Sequence, residues 1–206
     1  MKYKSPYALF GNGPNPTHPN VIERLKSINT FFCVDGGADK LITMGYYPDV
    51  ILGDLDSIDK ENKIYNSTIV CLDNQSKNDL EKSIAWCVNQ GIEELELFGF
   101  SYGRDDHHLA NLFIMKNFSD RIKMKMYTDK SLIFCINKHS TFLSKTDQTV
   151  SIFTFNEKTT ITTTGLKYAL KDLPLTSPSQ GISNLTTGSG FSVDPSDWTF
   201  IIINYM

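Results

Sequence analysis

Short apolar runs alternate with longer amphipathic stretches over residues 1–125 of the 206-residue chain. The apolar runs predict buried strands, and the stretches between them carry apolar residues at helical spacing. The predicted strands are Tyr7–Phe10, Thr30–Val34, Val50–Leu52, Thr68–Leu72 and Leu95–Phe98. The predicted helices are Asn20–Ile28, Asp39–Met44, Asp79–Gln90 and Asp106–Asn117. Strand–helix alternation of this kind indicates a parallel sheet with helices on both faces.

The pattern changes after Ile122. Residues 123–127 alternate polar and apolar side chains with a period of two, and the apolar runs SLIFCIN, TVSIFTF, TTITTTG and WTFIIIN follow. Turn-rich segments join these runs, and many short strands without clear helices are typical of an antiparallel sandwich or barrel. We therefore predict an α/β fold in two domains: a Rossmann-like domain over residues 1–125 and a smaller all-β sandwich over residues 126–206.

The charge of the chain limits its partners. A net charge of −3 and a pI near 5.8 argue against nucleic acid or an anionic membrane surface, because both need a basic face. No run approaches the ~18 apolar residues of a membrane span. We therefore expect neither a nucleic-acid nor a membrane partner. An acidic chain that binds a polyanion needs local positive charge, for which a metal ion is the obvious candidate.

The four cysteines, Cys33, Cys71, Cys87 and Cys135, are widely spaced and fit no zinc-binding pattern. Each lies inside an apolar stretch, where a free cysteine behaves as a small core residue. We therefore predict four buried, reduced thiols and a cytoplasmic protein.

Two acidic segments follow predicted strands: DGGAD at 35–39 and GDLDS at 53–57. In parallel sheets ligands bind beyond the carboxyl ends of the strands. Asp54 and Asp56 would point to the same side of an extended backbone, and paired carboxylates suit Mg²⁺. Glycines at 36, 37 and 53 would let phosphate approach the main chain. Any one of these aspartates alone could instead be a turn or helix-cap residue.

Two further segments lie at predicted helix starts. Asn78 is the natural N-cap of the third helix, with Glu81 in capping-box position and Asp79 in the first turn, where the helix dipole favours a carboxylate. In the loop before the fourth helix, Arg104 could donate two hydrogen bonds to phosphate oxygens. The alternative is a surface arginine followed by an N-capping aspartate.

In combination these segments resemble the thiamine pyrophosphokinase family. The matching motifs are DGGA at 35–38, GDLDS at 53–57, QSKND at 75–79 and GRDDH at 103–107, in the family's order. In the β-rich half, GLKYAL at 165–170, SN at 183–184 and GSG at 188–190 with the following Trp198 also resemble it. Three positions depart from the family pattern: Asn78 replaces threonine, Tyr102 stands where glycine is frequent, and Leu185 stands where an acidic or amide residue is common.

The resemblance implies transfer of a diphosphoryl group from ATP to the hydroxyl of thiamine, giving thiamine diphosphate and AMP. It implies Mg²⁺ held by Asp54, Asp56 and Asp79, with Asp35 and Asp106 near the reacting phosphates. It further implies ATP contacts from Gly36, Gly37, Gly53, Ser57, Gln75, Asn78, Arg104 and His107. Thiamine contacts would come from Ser183, Asn184 and Trp198, the last reaching a partner subunit's site in a homodimer whose active sites lie at the interface.

Two other functions remain open at this stage. Asp54-Leu55-Asp56-Ser57 resembles the nucleophile motif of haloacid-dehalogenase-like phosphohydrolases, although that motif usually lies on the first strand. A non-catalytic sensor of thiamine or nucleotide would bind without turnover. A P-loop kinase is excluded, because the sequence has no G-x-x-x-x-G-K-[ST] segment.

Overall fold

The computed structural model describes residues 3–54, 66–74, 76–101 and 103–206. The chain divides into two compact units, Met1–Asp129 and Lys130–Met206. Within the described ranges no helix is both long enough and apolar enough to cross a membrane.

The first unit contains six strands that pair in the order β6-β5-β1-β2-β3-β4, and each of these pairs is parallel. Its elements in chain order are β1 Tyr7–Phe10, α1 Pro19–Leu25, β2 Thr30–Val34, α2 Gly37–Thr43, β3 Val50–Gly53, β4 Thr68–Cys71, α3 Asp79–Asn89, β5 Glu94–Phe98, α4 Asp105–Phe118 and β6 Lys123–Tyr127. The predicted strands and helices are all present, and the α/β class is confirmed. The carboxyl ends of all six strands lie at one edge of the sheet.

Burial differs between the centre of this sheet and its end. Every residue of β1, β2 and β3 is buried, as their unbroken apolar runs predict. The prediction that Thr68–Leu72 forms a buried strand is wrong, since three of the four β4 residues are exposed. β4 is the last strand in the order, so apolar composition there reflects strand propensity rather than burial on both faces.

Three helices begin earlier than predicted, α4 by a single residue at Asp105. α1 begins at Pro19, where the missing N–H costs nothing, and the His18 side chain accepts a hydrogen bond from Asn20 N. α2 begins at Gly37 rather than at Asp39. A Cβ at Gly37 would lie 2.7 Å from Phe10 O, so this glycine is required by close packing against the end of β1. That requirement comes from a distant strand and leaves no local sign in the helical pattern.

The strands of the second unit pair antiparallel in two sets, with orders β12-β9-β14-β7 and β11-β10-β13-β8. The strands are β7 Ser131–Ile136, β8 Ser140–Leu143, β9 Thr149–Thr154, β10 Thr160–Thr164, β11 Leu173–Pro174, β12 Asn184–Leu185, β13 Gly190–Pro195 and β14 Thr199–Asn204. The four predicted apolar runs are confirmed as β7, β9, β10 and β14. β8, β11, β12 and β13 were missed, because they are short or contain the serine, glycine and proline typical of turns.

Both sheets of the second unit contribute to one hydrophobic cluster. Phe142 and Phe191 come from one sheet and stack with ring centroids 5.1 Å apart. Val150 and Ile201, from the other sheet, are fully buried in the same cluster. The alternating apolar positions of the strands therefore meet in a single core.

The cysteine prediction holds for two of four residues. Cys33 and Cys87 are buried, and burial raises the pKa of both thiols, so they remain protonated. Cys71 is exposed and Cys135 is half-buried, which corrects the expectation of four buried thiols. Cys71 lies on β4, whose exposure explains the error. None of the four cysteines, all of which lie in the described part of the chain, forms a disulfide.

Candidate active site

The loops that follow β1, β2 and β5 pack main chain against main chain. Gly11 N donates to Phe98 O at 2.7 Å, and Gly13 N donates to Gly99 O at 2.9 Å. A Cβ at Gly99 would lie 2.6 Å from Gly11 O. Glycine is therefore needed where these loops meet. The Gly11–Gly13 segment was not singled out from the sequence, although two glycines directly after a buried strand were the available signal.

Protein atoms fill the space beside two of the glycines predicted to face phosphate. A Cβ at Gly36 would lie 2.8 Å from the Asn12 side-chain nitrogen, and Gly37 lies against Phe10 and Gly11. Lys40 Nζ donates to the main-chain oxygens of Asn12 (2.6 Å) and Gly13 (2.8 Å), which holds this loop in place. The small size of both glycines is thus used for packing between neighbouring loops.

Asp35 follows β2 directly and is 6% exposed. Its φ of 42° lies in the left-handed region, which costs a residue with a side chain about 1–3 kcal/mol. The Asp35 carboxylate occupies the position that a Cβ on Gly53 would need, and Gly53 itself has φ 154°. Gly53 therefore allows the Asp35 carboxylate to lie against the end of β3, next to Asp54. Such strain at a strand end is characteristic of functional sites.

Lys82, a residue that the sequence analysis did not single out, lies among these acidic residues. It is 8% exposed, and its Nζ lies 2.7 Å from Asp79 Oδ1 and donates to Leu72 O at 3.1 Å. Burial alone lowers the pKa of Lys82, but the hydrogen bond and charge of Asp79, with the charges of Asp54 and Asp35, raise it above its ordinary value.

Three of the predicted site residues therefore act on one ammonium group, Asp79 by direct contact and the other two by their charge. Asp35 follows β2, Asp54 follows β3, and Asp79 opens α3 after β4. We call Asp35, Asp54, Asp79 and Lys82 the acidic edge. Strand ends position Asp35 and Asp54, the start of α3 positions Asp79, and the lysine is an addition that the structure supplies.

The start of α3 has the predicted cap. The Asn78 side chain accepts a hydrogen bond from Glu81 N at 2.9 Å. Asn78 Nδ2 lies 3.4 Å from Asn111 Oδ1, and Asn111 in turn donates to Phe100 O at 3.0 Å. Asn111 thus connects the start of α3 to the loop after β5. It was missed, although an asparagine in register with buried Met115 and Phe118 on α4 was a usable signal.

Arg104 and Asp106 pair with each other. Arg104 Nε and Nη2 donate to the two Asp106 carboxylate oxygens at 3.1 and 2.6 Å, and both side chains are largely exposed. The hydrogen bond from Arg104 is the main cause that lowers the pKa of Asp106 to about 2, and His107 N adds a further hydrogen bond. His107 is exposed in the first turn of α4.

The donor chemistry of the acidic edge fits the predicted Mg²⁺, because carboxylate oxygens are the hard ligands this ion prefers. Among the described residues, no three histidine, cysteine, aspartate or glutamate side chains are close enough to share a metal ion. The predicted set also includes Asp56, which lies outside the described residues together with Ser57 and Gln75. The magnesium site therefore stays a prediction that rests on Asp54 and Asp79 in the described part.

In the second unit, the GLKYAL and SN segments pair with each other. Lys167 N donates to Leu185 O, and Leu166 forms an antiparallel bridge with Thr186. The buried Asn184 side chain accepts from Tyr168 N at 3.0 Å and donates to Tyr168 O at 2.7 Å. We call residues 165–170 the Tyr168 loop. Two motifs separated in sequence thus form one structure, which Asn184 holds.

The other two predicted thiamine contacts, Ser183 and Trp198, lie outside the strands. Ser183 is exposed, with φ 57°, directly before Asn184. Trp198 is half-buried in the turn between β13 and β14, and its main-chain N–H donates to Asp197 Oδ1. The Gly188–Gly190 segment is held by Ser144, whose N and Oγ donate to Ser189 O and Gly188 O.

Comparison with known proteins gives matches over most of the chain. Residues 22–128, just over half of it, match the family model "Thiamin pyrophosphokinase, catalytic domain". Residues 136–194 match "Thiamin pyrophosphokinase, vitamin B1 binding domain". Both models match in the order in which the two units occur.

Curated relatives carry the same name. The chain is 30% identical over 141 residues to thiamin pyrophosphokinase 1 of Caenorhabditis elegans, covering 63% of this chain and 58% of the relative. It is 31% identical over 132 residues to thiamine pyrophosphokinase 1 of rice, covering 52% and 50%. The match thus spans only about half the length of these two relatives. Against the Bacillus subtilis enzyme the identity is 24% over 177 residues, covering 82% and 83%.

Solved structures share the fold. The crystal structure of thiamine pyrophosphokinase from Bacillus subtilis superposes with a TM-score of 0.83 at 22% identity, over 97% of this chain and 98% of that one. Thiamin pyrophosphokinase from Candida albicans gives a TM-score of 0.82 at 20% identity, over 97% and 88%. With the two family models in order along the sequence, the chain belongs to the thiamin pyrophosphokinase family.

Proposed function

We propose that this protein transfers the diphosphoryl group of ATP to the hydroxyl of thiamine, giving thiamine diphosphate and AMP. The observation that carries the proposal is the acidic edge, where carboxylates from three separate chain segments act on one buried ammonium group. Diphosphoryl transfer needs charges fixed in position rather than covalent chemistry by the protein. Family membership supports the same reaction.

The parallel sheet would act in the Rossmann-like manner, presenting the triphosphate beyond its strand ends. Asp54, Asp56 and Asp79 would hold Mg²⁺, which when bound supplies positive charge to the triphosphate. Arg104 uses two of its five N–H donors on Asp106, so three remain for phosphate oxygens. Gln75, Asn78, Ser57 and His107 complete the proposed ATP contacts.

The thiamine hydroxyl must lose a proton as its oxygen attacks the β-phosphorus and AMP leaves. Asp35 and Asp106 are the two candidate acceptors. Asp106 has a pKa of about 2 because Arg104 stabilises its carboxylate, which makes it a weak base near neutral pH. The buried Asp35, which also lies beside Gly53 and Asp54, is therefore the better candidate.

The second unit, as a β-sandwich, would bind thiamine. Asn184 has one side-chain N–H left after its contacts with Tyr168, and this donor with the exposed Ser183 would meet the ligand. Trp198 would stack on a cationic thiamine ring, an interaction worth about 0.5–2 kcal/mol. In the proposed homodimer the active sites lie at the subunit interface, and Trp198 reaches the partner's site.

The remaining parts of the proposal concern the surroundings of the enzyme. Four free cysteines favour a reducing cytoplasm, and a net charge of −3 argues against nucleic acid and anionic membranes as partners.

The test is incubation with ATP, Mg²⁺ and thiamine, followed by chromatography of the products. AMP and thiamine diphosphate should form in equal amounts. Asp54→Asn should lower kcat on the order of 10²-fold or more, while the exposed Asp120→Asn in the same unit leaves it unchanged. Release of inorganic phosphate with a phosphoaspartyl group on Asp54 would instead indicate the phosphohydrolase. Thiamine or ATP binding without product would indicate the sensor.

A further inference from the structure

Lys82 has an environment that a surface lysine does not share. The side chain is 6% exposed, whereas the neighbouring Lys77, paired with Glu81 on the same helix, is 43% exposed. A buried ammonium group is costly unless it is paired and hydrogen-bonded. Lys82 has both kinds of partner, Asp79 Oδ1 and Leu72 O.

These contacts connect two chain segments. Leu72 directly follows β4, and Asp79 is the first residue of α3. Lys82 holds both through one nitrogen atom, so the Asp79 carboxylate is fixed relative to the strand ends. The Asp79 side chain is still about half exposed, so it remains accessible to a ligand.

The charges of the acidic edge need such a partner. The negative charges of Asp79, Asp54 and Asp35 all act on Lys82, and like charges in one region repel one another. Lys82 cancels one of these charges from within. The remaining charge of the described set is −2, which is the charge that one divalent cation would balance.

We propose that Lys82 is a positioning residue of the acidic edge, which holds Asp79 in place and balances the aspartates before a divalent cation and the triphosphate arrive. This inference rests on the proposed function, because it assigns the aspartates to cation binding. Lys82 would compete with a free cation for the aspartates and would keep Asp79 oriented for turnover. Removing the lysine should therefore strengthen free-cation binding and weaken catalysis at the same time.

The experiment is a titration of the full-length, nucleotide-free protein with Mn²⁺, followed by electron paramagnetic resonance. Lys82→Met should bind Mn²⁺ about tenfold more tightly than the unchanged protein, since a nearby positive charge is lost. Lys82→Arg keeps the charge and should bind Mn²⁺ as the unchanged protein does. Lys77→Met removes an exposed charge that lies two residues before the same helix and should change the affinity little.

Kinetics supply the second measurement. Lys82→Met should lower kcat/KM for MgATP about tenfold or more, with the KM for thiamine unchanged. Unchanged or weaker Mn²⁺ binding by folded Lys82→Met, checked by its melting temperature, would overturn the proposal. Should Lys82→Met not fold, Lys82→Gln replaces it, because its amide can still donate to Leu72 O.

The double variant Asp79→Asn/Lys82→Met keeps the net charge and removes a proposed ligand. It should bind Mn²⁺ more weakly than Lys82→Met, and equal binding by the two would show that Asp79 is not a ligand.

Failure of the proposed role of Lys82 can be distinguished from failure of the proposed function. If the unchanged protein makes thiamine diphosphate but the Mn²⁺ pattern is absent, the role of Lys82 falls alone. If the Mn²⁺ pattern appears without transfer, the function falls and Lys82 stands.

Discussion

The two units hold their candidate site residues by different means. In the first unit, the acidic edge is organised by charge: Asp79 pairs with the buried Lys82, on which the charges of Asp54 and Asp35 also act. In the second unit, the Tyr168 loop is organised by neutral hydrogen bonds, with the Asn184 amide pairing with both main-chain groups of Tyr168. Charged groups acting at close range suit a triphosphate, whereas fixed neutral groups suit the shape of a flat organic ligand.

Strain is the feature that the two regions have in common. Asp35 and Ser183 both have positive φ values, 42° and 57°, without being glycine. Unfavourable backbone conformations thus occur in both regions, whereas the charged contacts described above lie in the one proposed to bind phosphate.

Gly53→Ala should give the largest effect, because it disturbs the acidic edge where Asp35 packs against Gly53. A Cβ there would displace the Asp35 carboxylate, and φ 154° is unfavourable for alanine. We expect a loss of more than about 2 kcal/mol in the free energy of unfolding. We also expect kcat to fall on the order of 10²-fold. Urea denaturation and the transfer assay measure the two effects.

Gly91→Ala is the matched control for this prediction. Gly91 follows α3 with φ 77°, but a Cβ there would meet no atom within 4 Å. It should cost about 1–2 kcal/mol from strain alone and leave kcat unchanged. Equal loss of activity in both variants would show that the Asp35 contact with Gly53 has no specific importance.

Much of this fold followed from local sequence patterns. Buried central strands such as β2 show unbroken apolar runs, and the Asn78 cap of α3 was visible from its spacing to Glu81. The exposure of β4 did not follow, because an edge strand has the same β-branched composition as a central one.

The candidate site was predictable only in part. Aspartates that follow predicted strands can be recognised from the sequence as candidate site residues, because parallel strands end at one edge of the sheet. Lys82 cannot be recognised in this way, since its spacing of three residues from Asp79 is that of an ordinary exposed ion pair on a helix. Its burial depends on Leu72 and the chain after β4, contacts that no local pattern contains. The pairing of Asn184 with Tyr168, sixteen residues apart, is hidden for the same reason.

Asn184→Ala should give an intermediate effect, because it removes the two hydrogen bonds that hold the Tyr168 loop. It leaves Tyr168 N and O without their side-chain partner, at a cost of about 1–3 kcal/mol in stability. The KM for thiamine should rise about tenfold, as expected from losing a contact worth about 1.4 kcal/mol, while the KM for ATP stays unchanged. Steady-state kinetics with each substrate varied in turn measure the two constants.

Asn156→Ala provides the control within the same unit. Asn156 Oδ1 accepts a hydrogen bond from Lys158 N at 2.9 Å in an exposed turn, so its loss should have little effect on either constant. If Asn184→Ala raised the KM for ATP as much as that for thiamine, the proposal that the Tyr168 loop binds thiamine and the acidic edge binds ATP would be wrong.

The smallest effect concerns Asp106, which tests whether its charge belongs with the acidic edge or with Arg104 alone. The hydrogen bond from Arg104 lowers the pKa of Asp106 from an ordinary 3.8 to about 2. The stabilisation from this exposed pair is complete above the ordinary value and is lost as the pH falls through about 2. In Arg104→Met the pKa should return toward 3.8, and the small stabilisation that this exposed pair contributes at pH 7 should be lost. Titration of the Asp106 carboxyl carbon by NMR measures both values. A pKa that stays near 2 without Arg104 would mean that other groups hold Asp106 ionised, and its place among the site residues would then need a different physical cause.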